Sequence, residues 1–387
     1  MADPYSGREQ TKAKHFILKR YLQALAFKVL TFSDITYVDG FSGPWETITE
    51  DFSDSSFMIA ISVLRDAQAL VQRRTGHRRQ IRCFFSEKNL SAYKRLVEAV
   101  APHHKPEQDF EIKTFCGAFE DAVDTIQTFV GSSFALIFID PTGWTGYPLE
   151  RIRPLLASTK CEVLINFMYD FVNRAGSMSD AKTIASLDPI LGGPNWEARL
   201  NHKLPRGLAI EELFRNALKT AGGFGFVVST KIDRATADRP HYFIAYASKS
   251  RAGLKAFREA EYTALRAHAR HRADAKERRR ENRSGSADLF AGMDADVQEA
   301  TIDDVIEEQK AAASRDLIAA LERGPITFDI AVATLLQAHM LRETNIKDVC
   351  IELAKVGKIE NTWGARPRKP SDKDNIVLKI STSYGDV

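Results

Sequence analysis

Three acidic residues stand where apolar runs end. Asp39 closes "ITYVD" and opens the glycine turn "DGFSGPW", Glu87 closes "IRCFFSE", and Asp140 closes "FALIFID" just before Pro141. A carboxylate in such a place can counter a cation, accept the paired hydroxyls of a ribose, or hold a polar hydrogen of a reacting group. A glycine turn beside it lets backbone N–H groups approach a ligand closely. A phosphate ligand is disfavoured, because there is no GxxxxGK[ST] and Asp39 would repel a pyrophosphate resting on the turn. The turn is not G-x-G-x-x-G either, which weakens a nucleotide-dependent oxidoreductase. Glu87-Lys88 is not a D/E-x-K nuclease pair, since the lysine adjoins the acid. Four cysteines (Cys83, Cys116, Cys161, Cys350) have no CxxC spacing. His103-His104, set between prolines, reads as a loop, so no metal site is expected. His15 and Lys19, one turn apart on a helix, read as surface or capping residues.

These acids need a frame. Up to about residue 265 short apolar runs alternate with helical periodicity: "TKAKHFILKRYLQALAFKVL" as a helix, then "ITYVDGF", "IRCFFSEKN", "FEIKTFC", "SFALIFIDPTGW" and "CEVLINFMY" as strands with helices between them. Strands without polar alternation, separated by helices, predict a parallel sheet covered on both faces, a doubly wound Rossmann-like α/β domain. "GFGFVVSTKIDR" and "PHYFIAYASKS" read as a closing hairpin, and 180–208 as an insertion over one edge. In such a sheet the three acids share the carboxyl rim, where these folds bind ligands.

The rim therefore predicts a cationic ligand. S-adenosylmethionine carries an ammonium and a sulfonium, and its ribose suits Glu87. In this order the runs "KHFILKRYLQAL", "YVDGFSGP", "SSFMIAISVL", "FFSEKN", "FIDPTGW" and "HYFIAYASKSRAGLKAFREA" resemble the three-Cys-motif partner (TcmP) family over about residues 10–265. That family is similar to class I S-adenosylmethionine-dependent methyltransferases. Its members are encoded beside a phage-type, radical-SAM-like protein, and the three cysteines of the name belong to that partner. The resemblance implies a seven-stranded sheet, with the hairpin supplying its antiparallel strand. It implies Asp39, Phe41, Ser42 and Gly43 as the cofactor loop, Glu87 as the ribose acid with Lys88 beside it, and Phe119 at the adenine. Asp140 and Pro141 match the start of a D-P-P-Y-like motif that places a target amine, with Trp144 as a stacking face for a base. Trp45 replaces the loop's last glycine, and Ala118 stands where an acid is usual, leaving adenine to backbone near Phe119 or to Glu120.

The net charge of +3 conceals two basic runs, "RRTGHRRQIR" and "RHRADAKERRRENR", which are places to meet a phosphate backbone or simply solvated faces. The expected organisation is a methyltransferase-like domain over 1–265, a basic then acidic linker over 266–300, and a C-terminal part over 301–387. That part is similar to a winged helix, with three helices, a Pro- and Arg-bearing loop and a terminal strand. No run approaches the ~20 apolar residues of a membrane span, and a reducing, cytoplasmic setting is expected. The function these readings imply is methylation of nucleic acid, at an exocyclic base amine, in a phage- or defence-related system. The alternative is a non-catalytic subunit that keeps the fold and binds nucleic acid or the radical-SAM-like partner.

Overall fold

The computed structural model describes residues 9–43, 47, 49–175, 180–234, 237–284, 293–364 and 368–379. Trp45 and the stretch 285–292 of the expected linker lie outside them. A seven-stranded sheet forms the centre, in the order β3-β2-β1-β4-β5-β7-β6. Its strands are β1 (Ile35–Asp39), β2 (Ile81–Glu87), β3 (Phe110–Cys116), β4 (Phe134–Ile139), β5 (Cys161–Phe167), β6 (Phe226–Arg234) and β7 (Ala237–Ser248). β1 to β5 run parallel, and β7 runs antiparallel to both β5 and β6. β1 and β5 are buried at every position, which is why their sequences show no polar alternation.

Alternate residues of each strand enter two separate cores. Tyr37, Leu136 and Phe138 face α1 (Glu9–Val29), α2 (Ser56–Thr75) and α3 (Leu90–Val100). Val38, Ile137 and Ile139 face α4 (Val123–Val130), α5 (Leu149–Leu156), α6 (Tyr169–Ala175) and the insertion. The insertion contributes α7 (Ala181–Ala185) and α8 (Asp188–Leu191), followed by α9 (Arg206–Gly222). Local signals set the helix ends. Ser55 accepts from Met58 N–H at the start of α2, Asn89 accepts from Ala92 N–H at the start of α3, and Gly76 ends α2 at φ 73°. α1 is tied to the sheet through a buried cluster in which Tyr21 donates to Glu162 and Ser248 Oγ donates to the same carboxylate at 2.8 Å. Burial pushes the Glu162 carboxyl above its ordinary pKa.

The chain continues into α10 (Arg251–Ser284) without a break at 265, then α11 (Met293–Leu321), β8 (Ile326–Thr327), α12 (Phe328–Ala338), α13 (Glu343–Lys355) and β9 (Asn375–Ile376). α10 climbs the edge of the sheet. Glu261 accepts from Thr230 at 2.6 Å, and Arg272 Nε donates to the carbonyl of Arg234 at 3.0 Å, so α10 reaches the rim near Arg272. The basic and acidic runs expected in a linker become two neighbouring helices, with Arg266 paired to Asp303 at 3.0 Å. β8 pairs antiparallel with β9, and Ile359 bridges to Leu378. This C-terminal part packs at the base of α10, where Lys255 meets Asp329, Glu343 and Asp372 and buried Arg258 donates to the Leu336 carbonyl. No helix among the described residues is long and apolar enough to cross a membrane.

Candidate active site

The strand order reverses between β1 and β4, and a crevice at the carboxyl ends of the strands is expected at such a switch point. A cleft of about 700 Å³ lies there, walled by the turn after β1 (Gly40, Phe41), the end of β2 (Glu87, Lys88, Asn89), the turn after β3 (Gly117–Glu120) and the loop after β4 (Asp140–Gly143). Its size is within the ordinary range for ligand pockets, about 300–1,000 Å³. Gly40 is required for close packing. A Cβ there would stand 2.8 Å from Phe119 Cδ2, so the turn passes against the ring that forms one wall.

The structure separates the loop residues expected to hold a ligand. Phe41, Glu87, Lys88, Phe119, Asp140 and Pro141 line the cleft, whereas Asp39, Ser42, Gly43 and Trp144 do not. Asp39 is fully buried, and its oxygens accept from Phe41 N–H at 3.0 Å and Ser56 Oγ at 2.7 Å. It organises the turn from beneath and does not line the cleft. Ser42 is likewise structural: its N–H donates to Ser86 O and its Oγ to Asp39 O, both at 2.9 Å. Trp144 turns away, donating Nε1–H to Ser186 Oγ at 2.8 Å on the insertion.

Burial outweighs these hydrogen bonds and pushes the Asp39 carboxyl from 3.8 up to about 6. The folded chain therefore holds a proton that the unfolded chain releases between about pH 4 and 6. Stability contributed by this group is present below that window and lost as pH rises through it, by about 3 kcal/mol in all. Asp39→Asn should abolish this component. Urea unfolding from pH 4 to 7 is expected to show the variant gaining on the wild type as pH rises, and parallel curves would refute the assignment.

Glu87 is 4% exposed and accepts from Asn89 N–H at 2.6 Å, which fixes its carboxylate at the cleft edge. Glu120 also lines the cleft, and its Oε2 is buried without a hydrogen-bond partner among the described residues. An acceptor left unpaired in this way is costly unless a donor arrives. Asp140 has both oxygens engaged: Lys14 Nζ, from α1, donates to Oδ2 at 2.5 Å and Asn166 Nδ2, from β5, donates to Oδ1 at 2.7 Å. Each carboxylate oxygen keeps a further lone pair, so these bonds leave room for the amine-holding role expected of Asp140. Beyond them Asp170, 2% exposed, binds Arg234, with His241 Nδ1 at 3.4 Å. Burial holds the His241 imidazole below its ordinary pKa, with the Asp170 bond working the other way.

Lys14 and Asn166 were not legible as site residues. Lys14 is one basic residue among several on α1, and its partner lies 126 positions away. No group of three or more His, Cys, Asp or Glu able to hold a metal occurs among the described residues.

No protein-family model matches the chain, and no curated protein matches it. Among solved structures, the cofactor-bound Rv0187 from MTB aligns over 60% of this chain and 79% of its own, at 12% identity and a TM-score of 0.31. A likeness at that level carries no argument about fold or activity. The sheet order and the cleft stand on their own.

Proposed function

We propose that this chain is an S-adenosylmethionine-dependent methyltransferase acting on nucleic acid. The observation that carries the proposal is the division of the rim by charge. Over β1 to β4 three acids, Glu87, Glu120 and Asp140, stand at the walls of the cleft with one base, Lys88, among them. Over β5 and β6 two exposed arginines, Arg174 and Arg234, gather around buried Asp170, which pairs with Arg234, and the mostly buried Lys14 stands at the boundary, paired with Asp140. A cationic nucleoside fits the first half and a phosphate-bearing acceptor the second.

When bound, S-adenosylmethionine supplies a methyl group on a positive sulfur. Glu87 would accept its ribose hydroxyls and Glu120 Oε2 the adenine amine, with Phe41 and Phe119 as apolar walls. Arg174 and Arg234 would position acceptor phosphates. The basic run Arg73–Arg82 serves this less well. It joins the end of α2 to the start of β2, at the opposite edge of the sheet. A strand of about seven residues, roughly 20 Å, separates it from the rim.

The finer parts of the proposal rest on the sequence resemblance: a three-Cys-motif partner protein, in a phage- or defence-related system, working beside a radical-SAM-like protein. The arrangement of α11, β8, α12, α13 and β9 supports a winged-helix-like module that docks duplex or partner. A non-catalytic subunit is the second reading, favoured by the ion pair that ties Asp140 to Lys14.

Incubation with methyl-labelled S-adenosylmethionine and separate DNA, RNA and protein, over a salt series, tests the two readings. Label in nucleic acid, declining as salt rises, is expected. Label in protein alone contradicts the nucleic-acid reading. Salt-sensitive binding without label favours the non-catalytic one.

A further inference from the structure

We propose that the C-terminal part holds a second binding site, a pocket for a nucleotide, either free or unpaired within a nucleic-acid strand. The site is independent of methyl transfer at the rim.

A cavity of about 430 Å³ lies between the second half of α13 and the loop that follows it. That volume falls within the ordinary range for ligand pockets, about 300–1,000 Å³. Local sequence builds its walls. Ala354 and Lys355 stand three and four positions after Ile351, so the three share one face of α13. Gly364 sits at φ 94°, a conformation that glycine adopts without strain. The turn brings Arg368 back alongside, its Cδ 3.9 Å from where a Cβ on Gly364 would stand.

The lining is divided by chemistry. Ile351 and Ala354 pack on the core that buries Trp363, and these three make an apolar floor. Lys355, Arg368 and Lys369 line the same cavity, and no acid lines it among the described residues. Lys355 has no ion-pair partner among them. Arg368 pairs with Asp374 at 3.7 Å and Lys369 with Asp348 at 3.1 Å, but at 63% and 53% exposure such pairs hold weakly and give way to a stronger anion. Three cations at one cavity suit a phosphate, and the apolar floor beside them suits a phosphate that carries a ring. A nucleotide has both. Asn361 adds an amide, which donates and accepts at once and so matches the edge of a base, where donors and acceptors stand together. A phosphorylated side chain of a protein would offer ring and anion but leave that amide unused.

Calorimetry on the full chain with uridine monophosphate, uridine and inorganic phosphate tests the pocket. The monophosphate should bind one to one, and about tenfold or more tighter than uridine or phosphate alone, because only it meets both the floor and the cations. Lys355→Glu and Arg368→Glu should each weaken it about tenfold, the worth of one hydrogen bond to a charged group. Both side chains are exposed, so the melting temperature should not change. Glu87→Ala, in the rim cleft, should leave this binding unaltered, which keeps failure of the cofactor reading distinct from failure here. A short oligouridine identifies the source. Affinity at or above that of the monophosphate, falling with salt at a log–log slope of about −2 for three contacts, assigns the pocket to a strand. Exclusion of the oligomer, with the monophosphate still bound, assigns it to a free nucleotide. No saturable binding, phosphate or phosphotyrosine bound as tightly as uridine monophosphate, or charge reversals without effect would overturn the proposal.

Discussion

Glu87→Ala should lose about 100-fold in affinity for S-adenosylmethionine. Glu87 is held at the cleft edge by its bond from Asn89 N–H, so its orientation is already fixed before a ligand arrives. A ribose diol donating to a positioned, nearly buried carboxylate makes charge-assisted hydrogen bonds, each worth about 1.5–3 kcal/mol. Truncation also leaves Asn89 N–H at the head of α3 without its present acceptor. Glu87→Gln separates the two effects. It keeps an oxygen for the backbone but gives up the charge and one acceptor, and should lose about tenfold, the value of one such bond. Isothermal calorimetry on the three proteins is the measurement. Equal affinities would remove Glu87 from the cofactor site.

Asp140→Ala should spare cofactor binding and remove turnover, by about 10²- to 10³-fold, the range for loss of a positioned group that acts on developing charge. The same change should cost stability. Lys14 and Asp140 are 12% and 16% exposed, and removing the acid leaves the ammonium nearly buried with its partner gone. A broken buried pair costs about 3–5 kcal/mol, and the residual exposure of both groups places this one at the lower end. Double substitution with Lys14→Met should recover part of that stability, because no unpaired charge remains, yet should recover no turnover. Chemical denaturation of both variants, run beside the transfer assay, separates the roles. Turnover by Asp140→Ala within tenfold of wild type would exclude it from the chemistry.

The fold was legible because the central parallel strands are buried on both faces and so read as mostly apolar runs, while β3 at the sheet's edge is part-exposed. β4 and β5 are the clearest cases, and their ends located the rim to the residue. Glu87 and Asp140 were placed at the cleft for the same reason, since each stands where its strand stops, whereas Phe119 came from the family resemblance. Asp39 stands at an equivalent strand end, and the sequence alone does not distinguish it from Glu87. The difference is tertiary: Ser56 on α2 and the Phe41 N–H close around it, so Asp39 supports the turn and Glu87 lines the cleft. Trp144 is tied to the insertion, whose Ser186 supplies the indole's partner, a tertiary contact that its local sequence does not announce. The run over 266–300 reads as a linker because charge masks helical periodicity. Its basic half nevertheless continues α10, which is anchored by the apolar and buried polar residues of the first turns and prolonged as a single helix through Ser284.

The central claim is that the acid-lined cleft at the β1/β4 switch point receives S-adenosylmethionine with its methyl group directed toward Lys14 and Asp140. A crystal structure of the chain with S-adenosylmethionine bound measures this directly. The account predicts the ribose on Glu87, the adenine between Phe119 and Glu120, and the sulfonium methyl facing the Asp140 edge. A cofactor lodged elsewhere, or a cleft filled by the chain's own side chains with the crystals bathed in cofactor, would contradict it.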